Sequence, residues 1–267
     1  MRICTFNVHG WSDARGRRNV DATIALLRDL DCAVVALQEV SREGAALHRV
    51  AEALGMYAVL GAESWLGNAL LSRLPLEETE IVPMTAGYEE GRCAVLARVE
   101  APGGPLEVCA THLDPMYEVT RLRQLDKLLA ALSRRASARL VLGDFNALRL
   151  EDYPPAVLDA VRALRADNGR EAPCGDVIAR MDAAGYVDLF GLHHAGEGVA
   201  ALPDEARASC WVGTRVDYVW ASKPVLDRWS LQSARHVPNE VSDHAPVLVS
   251  FDPAPAPPGP PSRDDPT

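Results

Sequence analysis

Residues 139–146 read RLVLGDFN, an apolar run that breaks at a glycine and delivers two polar side chains, Asp144 and Asn146. The same pattern recurs along the chain. RICTFN (2–7) ends in Asn7, AVVALQE (33–39) in Glu39 and LEVCATH (106–112) in His112, while SDHAPVLVSF (242–251) sets Asp243 and His244 just before an apolar run. Runs of this kind read as buried strands, and the ends of strands are where a rigid scaffold presents polar groups to a cleft. Carboxylate, amide and imidazole groups gathered at one such rim form a hard-cation site beside a phosphate site.

Between these marks the pattern alternates between strand and helix. Helical spacing over Val20–Leu30 (Ile24, Leu27, Leu30) precedes a buried strand at 32–38. Glu43–Leu54 reads as an amphipathic helix closed by Gly55. Strands are expected at Tyr57–Leu60, Asn68–Ser72, Glu80–Met84, Cys93–Val99 and Leu106–Thr111, the last two joined by the turn APGGP. A helix over Glu118–Ser133 carries Leu122, Leu125, Leu129 and Leu132 as a stripe, with Arg121 and Gln124 off it, on a solvated or substrate-facing side. Two further helices, 154–166 and 176–184, fill an excursion before strands at 215–221 and 246–251. Interleaved helices and strands, with hairpins in the middle, predict a mixed α/β sandwich rather than a purely parallel sheet. No internal repeat is visible.

The polar set spans Asn7 to His244 without a linker, so one domain is expected over 1–252. From Pro253 onward seven of fifteen residues are proline, which predicts a disordered tail over 253–267. Hydrophobic residues make up 48% and charged residues 24%, as in ordinary globular proteins. No apolar stretch approaches the roughly 20 residues of a membrane span, and the chain starts directly in a strand-like run, so a cytoplasmic location is expected. The formal net charge of −10 disfavours tight, general binding to duplex DNA through a globally basic surface. Six scattered cysteines, none in a CxxC pair, read as buried small hydrophobes in a reducing compartment.

The chemistry is carried by few residues. A carboxylate at the end of a buried strand, as Glu39 is, must be solvated, paired or metal-bound. Together with Asn7 and Asp243 it makes an all-oxygen set suited to Mg²⁺ or Mn²⁺ rather than zinc. In GDFNA, Asp144 and Asn146 share a side if the backbone stays extended. Asp144 could then orient or deprotonate a water and Asn146 donate to a phosphoryl oxygen; the segment also reads as a simple turn. Asp114 is either a partner for His112 or the start of a loop. In TRVDYVW, Asp217 needs a partner, and His244 is the candidate, since a buried Asp fixes a His tautomer and supports its charge.

The ordered set TFN, QE, GNALLSR, GR, THLD, GDFN, RVDYVW and SDHAP resembles the endonuclease/exonuclease/phosphatase superfamily, the deoxyribonuclease I-like group, over residues 2–251. The resemblance implies a four-layer α/β/β/α sandwich with the site at one end of two packed sheets. It implies Asn7, Glu39 and Asp243 as the metal-site residues, Mg²⁺ or Mn²⁺ as cofactor, Asp144 as the group that activates water, and Asn146 as a transition-state donor. His244, oriented by Asp217, and His112 would hold phosphate, with Arg92 also touching it and Asn68 lining the cleft. The implied activity is metal-dependent hydrolysis of phosphodiesters; the alternatives are hydrolysis of small phosphorylated metabolites or lipid headgroups, and a non-catalytic phosphate-binding module. The abasic-site nucleases of the group carry tyrosine where this chain has His112, which weakens that branch. The excursion over 147–210 is distinctive, and Trp65, Tyr117, Tyr153 and Trp211 are candidates for stacking on a base.

Overall fold

The computed structural model describes residues 1–85, 91–135 and 138–254. β1 (Arg2–Asn7) passes through α1 (Val20–Leu30) into β2 (Val34–Ser41), which lies parallel to it. α2 (Ala45–Leu54) leads to the hairpin β3 (Tyr57–Gly61) and β4 (Leu66–Ser72). β5 (Glu77–Pro83), β6 (Cys93–Ala101) and β7 (Gly104–His112) form a meander. α3 (Glu118–Ser133) then crosses to β8 (Arg139–Asp144), parallel to β7. The excursion holds α4 (Pro155–Asp167), α5 (Asp176–Ala183), β9 (Tyr186–Asp188), α6 (Leu189–His193) and α7 (Asp204–Arg207). β10 (Asp217–Ser222), α8 (Lys223–Arg228), β11 (Trp229–His236) and β12 (Val247–Pro253) complete the chain.

Two six-stranded sheets result, in the orders β11-β12-β1-β2-β4-β3 and β5-β6-β7-β8-β10-β9. The two orders follow one plan. A parallel pair spanned by a helix (β1-α1-β2, β7-α3-β8) is flanked on each side by two strands in antiparallel pairing. The structure therefore carries a duplication of topology that no sequence repeat announces.

Three apolar layers hold the sandwich. Ile3, Val34, Leu70, Val95, Val108, Leu140, Val219 and Val249 fill the space between the sheets. Ile24, Leu27, Leu47 and Val50 pack α1 and α2 on Cys4, Phe6, Val35 and Leu37. Leu125, Leu128, Val177 and Met181 pack α3 and α5 on Leu96, Cys109, Val141 and Trp220. Alternation along each central strand feeds one residue to each layer, so a strand buried on both faces is apolar throughout. The architecture is the four-layer α/β/β/α sandwich expected from the motifs. No helix among the described residues is long and apolar enough to cross a membrane, and the cysteines of the described chain are free, four of them buried.

Several expectations are corrected. Arg121 and Gln124 of α3 are 1% and 0% exposed, neither solvated nor facing a substrate. Arg121 pairs with Glu118 and Glu171, and Gln124 accepts the Asp114 N–H, so both build the loop after β7. The strand expected from 215 starts at Asp217, because the Val216 N–H donates to Ser209 Oγ and its carbonyl accepts from Phe145. β11 carries no strand signal in the sequence: it is an edge strand with only Trp229, Ala234 and His236 buried. Pro253, read as the start of the tail, ends β12, and the Ala254 N–H donates to Arg228 O; the rest of that tail lies outside the described residues.

Candidate active site

On the second sheet, strand register alone sets three functional groups side by side. His112 pairs with Asp144 across β7 and β8, and Asp144 with Asp217 across β8 and β10. The approach of β7 to β8 here needs Gly143. Its φ is +155°, and a Cβ would meet the Thr111 carbonyl oxygen at 1.9 Å. Beyond Asp144 the chain does not stay extended, as the same-side argument requires. Asn146 sits at φ +49°, its N–H donating to Asp144 Oδ1 at 2.9 Å. The turn aims the Asn146 amide at His112 Nε2 (3.0 Å) and Leu113 O (3.1 Å).

On the first sheet, Asn7 ends β1 opposite Gln38, and β2 slips register against β4 between Leu37 and Val40. Glu39 sits in that bulge at φ +56°. A bulge re-aims a side chain, and backbone of this kind persists only where its surroundings enforce it. The Asn7 Nδ2 group then spans the sandwich, donating to Glu39 Oε1 at 3.0 Å and to Asp144 Oδ2 at 3.2 Å. Two carboxylates from different sheets converge on one amide.

The third contribution comes from the loop before β12. Ser242 Oγ donates to Asn7 O at 2.8 Å, and Asn239 Oδ1 accepts from Val241 and Ser242 while its amide holds His244 O. His244 Nδ1 meets Asp217 Oδ2 at 2.8 Å, and its Nε2 lies 3.8 Å from Asp144 Oδ2. Ser209 Oγ donates to the same Asp217 oxygen at 2.7 Å. Asp243 lies 3.6 Å from His9 Nδ1.

Charge follows from these contacts. Burial works against charge on His244, but the Asp217 carboxylate outweighs it and, with Asp144, raises the imidazole well above its usual range. His244 is thus an imidazolium whose Nε2–H faces the site. His112 goes the other way: burial, then the Arg92 guanidinium and His244, hold it well below its usual range. Its Nε2 receives the Asn146 amide, so the proton of the neutral ring is assigned to Nδ1. Burial and the negative charge of Asp217 push Asp144 up to about 7 despite the donors around it.

The expected residues Asn7, Glu39, His112, Asp144 and Asn146 form one hydrogen-bonded group, which the His244–Asp217 pair joins through Ser242. Asp243 reaches the group through Ser242, whose hydroxyl contacts both Asp243 and the Asn7 backbone. Arg92 lines a small recess with His112 and Asn68. Asn68 ties the sheets together through Cys93 O at 2.6 Å. Asp114 caps its loop by accepting from Met116 and Tyr117 rather than partnering His112. Tyr153 is buried, its hydroxyl taken by the Arg215 N–H, and cannot stack on a ligand; Trp65, Tyr117 and Trp211 are exposed. Sequence reasoning missed Ser209, Ser242, Asn239 and His9. Only Ser242, beside Asp243, carried a signal, because the others depend on contacts between distant loops.

A divalent cation suits this donor set. The Glu39, Asp243 and Asp144 carboxylates are hard oxygen donors, and the Asn7 oxygen, which here accepts the His9 N–H, would join them if the amide turned over; a carboxylate pushed to about 7 by burial and Asp217 is one that a cation would stabilise. Asp144, Asp217 and His244 also offer ligand atoms within 4.8 Å of one another. There, however, His244 Nδ1 and Asp217 already satisfy each other.

Comparison with known proteins bears on the fold and the family. No curated protein matches the sequence. The fold is shared with the endonuclease/exonuclease/phosphatase from Beutenbergia cavernae DSM 12333 (17% identity, TM-score 0.68, covering 94% of this chain and 71% of that one). It is shared also with an AP endonuclease from Archaeoglobus fulgidus (19%, 0.65, 94% and 99%). A third is a 3′ phosphatase from Neisseria solved with a product DNA hairpin (19%, 0.68, 94% and 99%). At these identities the likeness is one of fold. The model of the Endonuclease/Exonuclease/phosphatase family, whose members are phosphoesterase hydrolases, matches residues 4–244. With that span enclosing the group from Asn7 to His244, the chain belongs to the endonuclease/exonuclease/phosphatase family.

Proposed function

We propose that this protein is a metal-dependent phosphoesterase that hydrolyses phosphodiester bonds. The observation that carries the reading is the Asn7 amide bridging Glu39 and Asp144 across the two sheets, beside the His244–Asp217 pair. Asn7, Glu39 and Asp243 are the residues that would hold Mg²⁺ or Mn²⁺; bound there, the ion would neutralise phosphoryl oxygens and the leaving oxygen. Asp144 orients the attacking water and takes its proton as the new P–O bond forms and the bond to the leaving oxygen breaks. Asn146, whose amide is held by His112 and Leu113, would turn one of its two N–H groups from these partners to a phosphoryl oxygen. His244, kept cationic by Asp217, binds a second oxygen, and Arg92 lies close enough to His112 to add positive charge at the rim.

Bis(p-nitrophenyl) phosphate and p-nitrophenyl phosphate, assayed with Mg²⁺, Mn²⁺ or EDTA, test this. Diester turnover that disappears on chelation and falls by about 10²–10⁴-fold in Asp144→Asn is expected. Turnover indifferent to both changes would overturn the assignment. A second reading, hydrolysis of small phosphorylated molecules, is favoured by the acidic chain and by the small cavity beside His244; it predicts preference for the monoester.

A further inference from the structure

A cavity of about 140 Å³ opens beside Asn146 and His244, walled on its far side by α4 and by the turn carrying Trp211. It is smaller than the roughly 300–1,000 Å³ of sites that enclose whole drug-sized ligands, so it holds part of a ligand whose remainder lies along its open side. Its position is set by the fold. The Trp211 N–H donates to Asp243 O, Cys210 bridges His244, and the Ala245 N–H donates to Ser209 O, so segment 209–211 runs alongside the SDH segment. The turn that follows closes at Gly213, φ +76°. Trp211 is thereby held at the cavity while remaining 73% exposed, a large aromatic face on which no ring of the described residues is stacked. Val161, Leu164 and Val216 supply the apolar lining.

The same cavity is lined by two guanidinium groups, Arg165 and Arg170. Neither has an ion pair among the described residues. The acid that bears on Arg165, Glu171, is already held by Arg121 at 2.6 Å. Burial, then the charges of Arg121 and Arg170, hold Arg165 below its usual range, while Glu171 works the other way. In a chain of net charge −10, two arginines without an ion pair among the described residues, one of them donating to the Glu171 carbonyl, next to an aromatic face and a phosphate site form a specific combination. A base can stack on the indole, and a phosphate can take charge-assisted hydrogen bonds from the arginines.

We propose that this cavity is a nucleotide subsite: it takes the base next to the scissile phosphate against Trp211 and binds a second phosphate of the same nucleotide through Arg165 and Arg170. The inference rests on the reading of Asn146 and His244 as holders of the first phosphate. It narrows the substrate to nucleotides carrying two phosphates, which includes a residue within an oligonucleotide, and sets lipid headgroups aside.

Calorimetric titration in Mg²⁺ tests it, with inorganic phosphate, adenosine 5′-monophosphate and adenosine 3′,5′-bisphosphate as probes, each checked by chromatography for intactness afterwards. The bisphosphate is expected to bind at least about tenfold more tightly than the monophosphate. Arg165→Gln/Arg170→Gln erases that ratio, and Trp211→Ala weakens both nucleotides by about tenfold while sparing inorganic phosphate. The substituted side chains are exposed or half-exposed, and circular dichroism verifies that each variant is folded. Equal affinity for the two nucleotides, ratios that survive the substitutions, or no binding of any probe would overturn the subsite. Failure of the underlying phosphoesterase reading shows separately, as diester turnover unaffected by Asp144→Asn.

Discussion

Asp217 touches no substrate in the proposed reaction, yet the charge of His244 depends on it. Asp217→Asn keeps the shape and one hydrogen bond while removing the negative charge. The expected result is a fall in kcat of about 10²-fold or more, with the thermal midpoint little changed. Steady-state kinetics beside a thermal melt check this, and wild-type kcat in the variant would remove Asp217 from the machinery. Gly143 is the opposite kind of residue, important for what it lacks. A methyl group there must displace the Thr111 backbone, so Gly143→Ala is expected to cost about 2 kcal/mol or more and to loosen the His112–Asp144 register. Denaturant unfolding reads the first effect and diester turnover the second. The sequence already offers His244 as the partner of Asp217, whereas the need for Gly143 is not written in it, because GDFN reads equally as a turn and as a strand end. In the structure it is both, since the left-handed Asn146 makes the turn that presents its own amide.

Elements differ in how they reach the site. β1, β7 and β8 deliver Asn7, His112 and Asp144 by register, β2 delivers Glu39 through its bulge, and the apolar runs of all four made them legible. β10 is delivered by the excursion. Arg215, fully buried just before β10, pairs with Asp152 and Asp188 and lies over the rings of Tyr218 (4.3 Å) and Phe190 (5.2 Å). Removing one partner of a buried ion cluster strands the others, at about 3–5 kcal/mol. Arg215→Met is therefore expected to lower unfolding free energy by that amount and to reduce activity through displacement of Asp217. A loss below about 1 kcal/mol in urea unfolding would mean that the excursion docks without this cluster. The sequence reading assigned Arg215 to the strand because RVDYVW alternates, and alternation does not report where backbone pairing begins.

At the scale of the molecule, the excursion and the first sheet meet at His236. Its ring stacks on Phe190 at 4.3 Å, its Nδ1 faces Ala206 O at 3.0 Å, and Arg215 and His194 are the charged and titratable groups that bear on it. Burial, then Arg215, lower its pKa to about 3. Because the folded value lies below the unfolded one of about 6.5, the unfolded chain binds the proton first. The stability is complete above pH 6.5 and is lost as pH falls from there toward 3, by roughly 2–3 kcal/mol at pH 4.5. His236→Gln should lose less stability than wild type between pH 7 and 4.5 by that margin in chemical denaturation; identical losses would show that His236 is not held neutral. The chain's own residues determined the sandwich and most of the groups expected at its rim, because strand ends, apolar runs and charged exceptions are local patterns that survive without coordinates. The tertiary structure alone decided how those groups act: the bulge that turns Glu39, the opposite charge states of His112 and His244, the serines and asparagine that hold them, and the cavity between α4 and Trp211. Each of these depends on which distant segments lie within a few ångströms of one another, and on how much water that proximity removes.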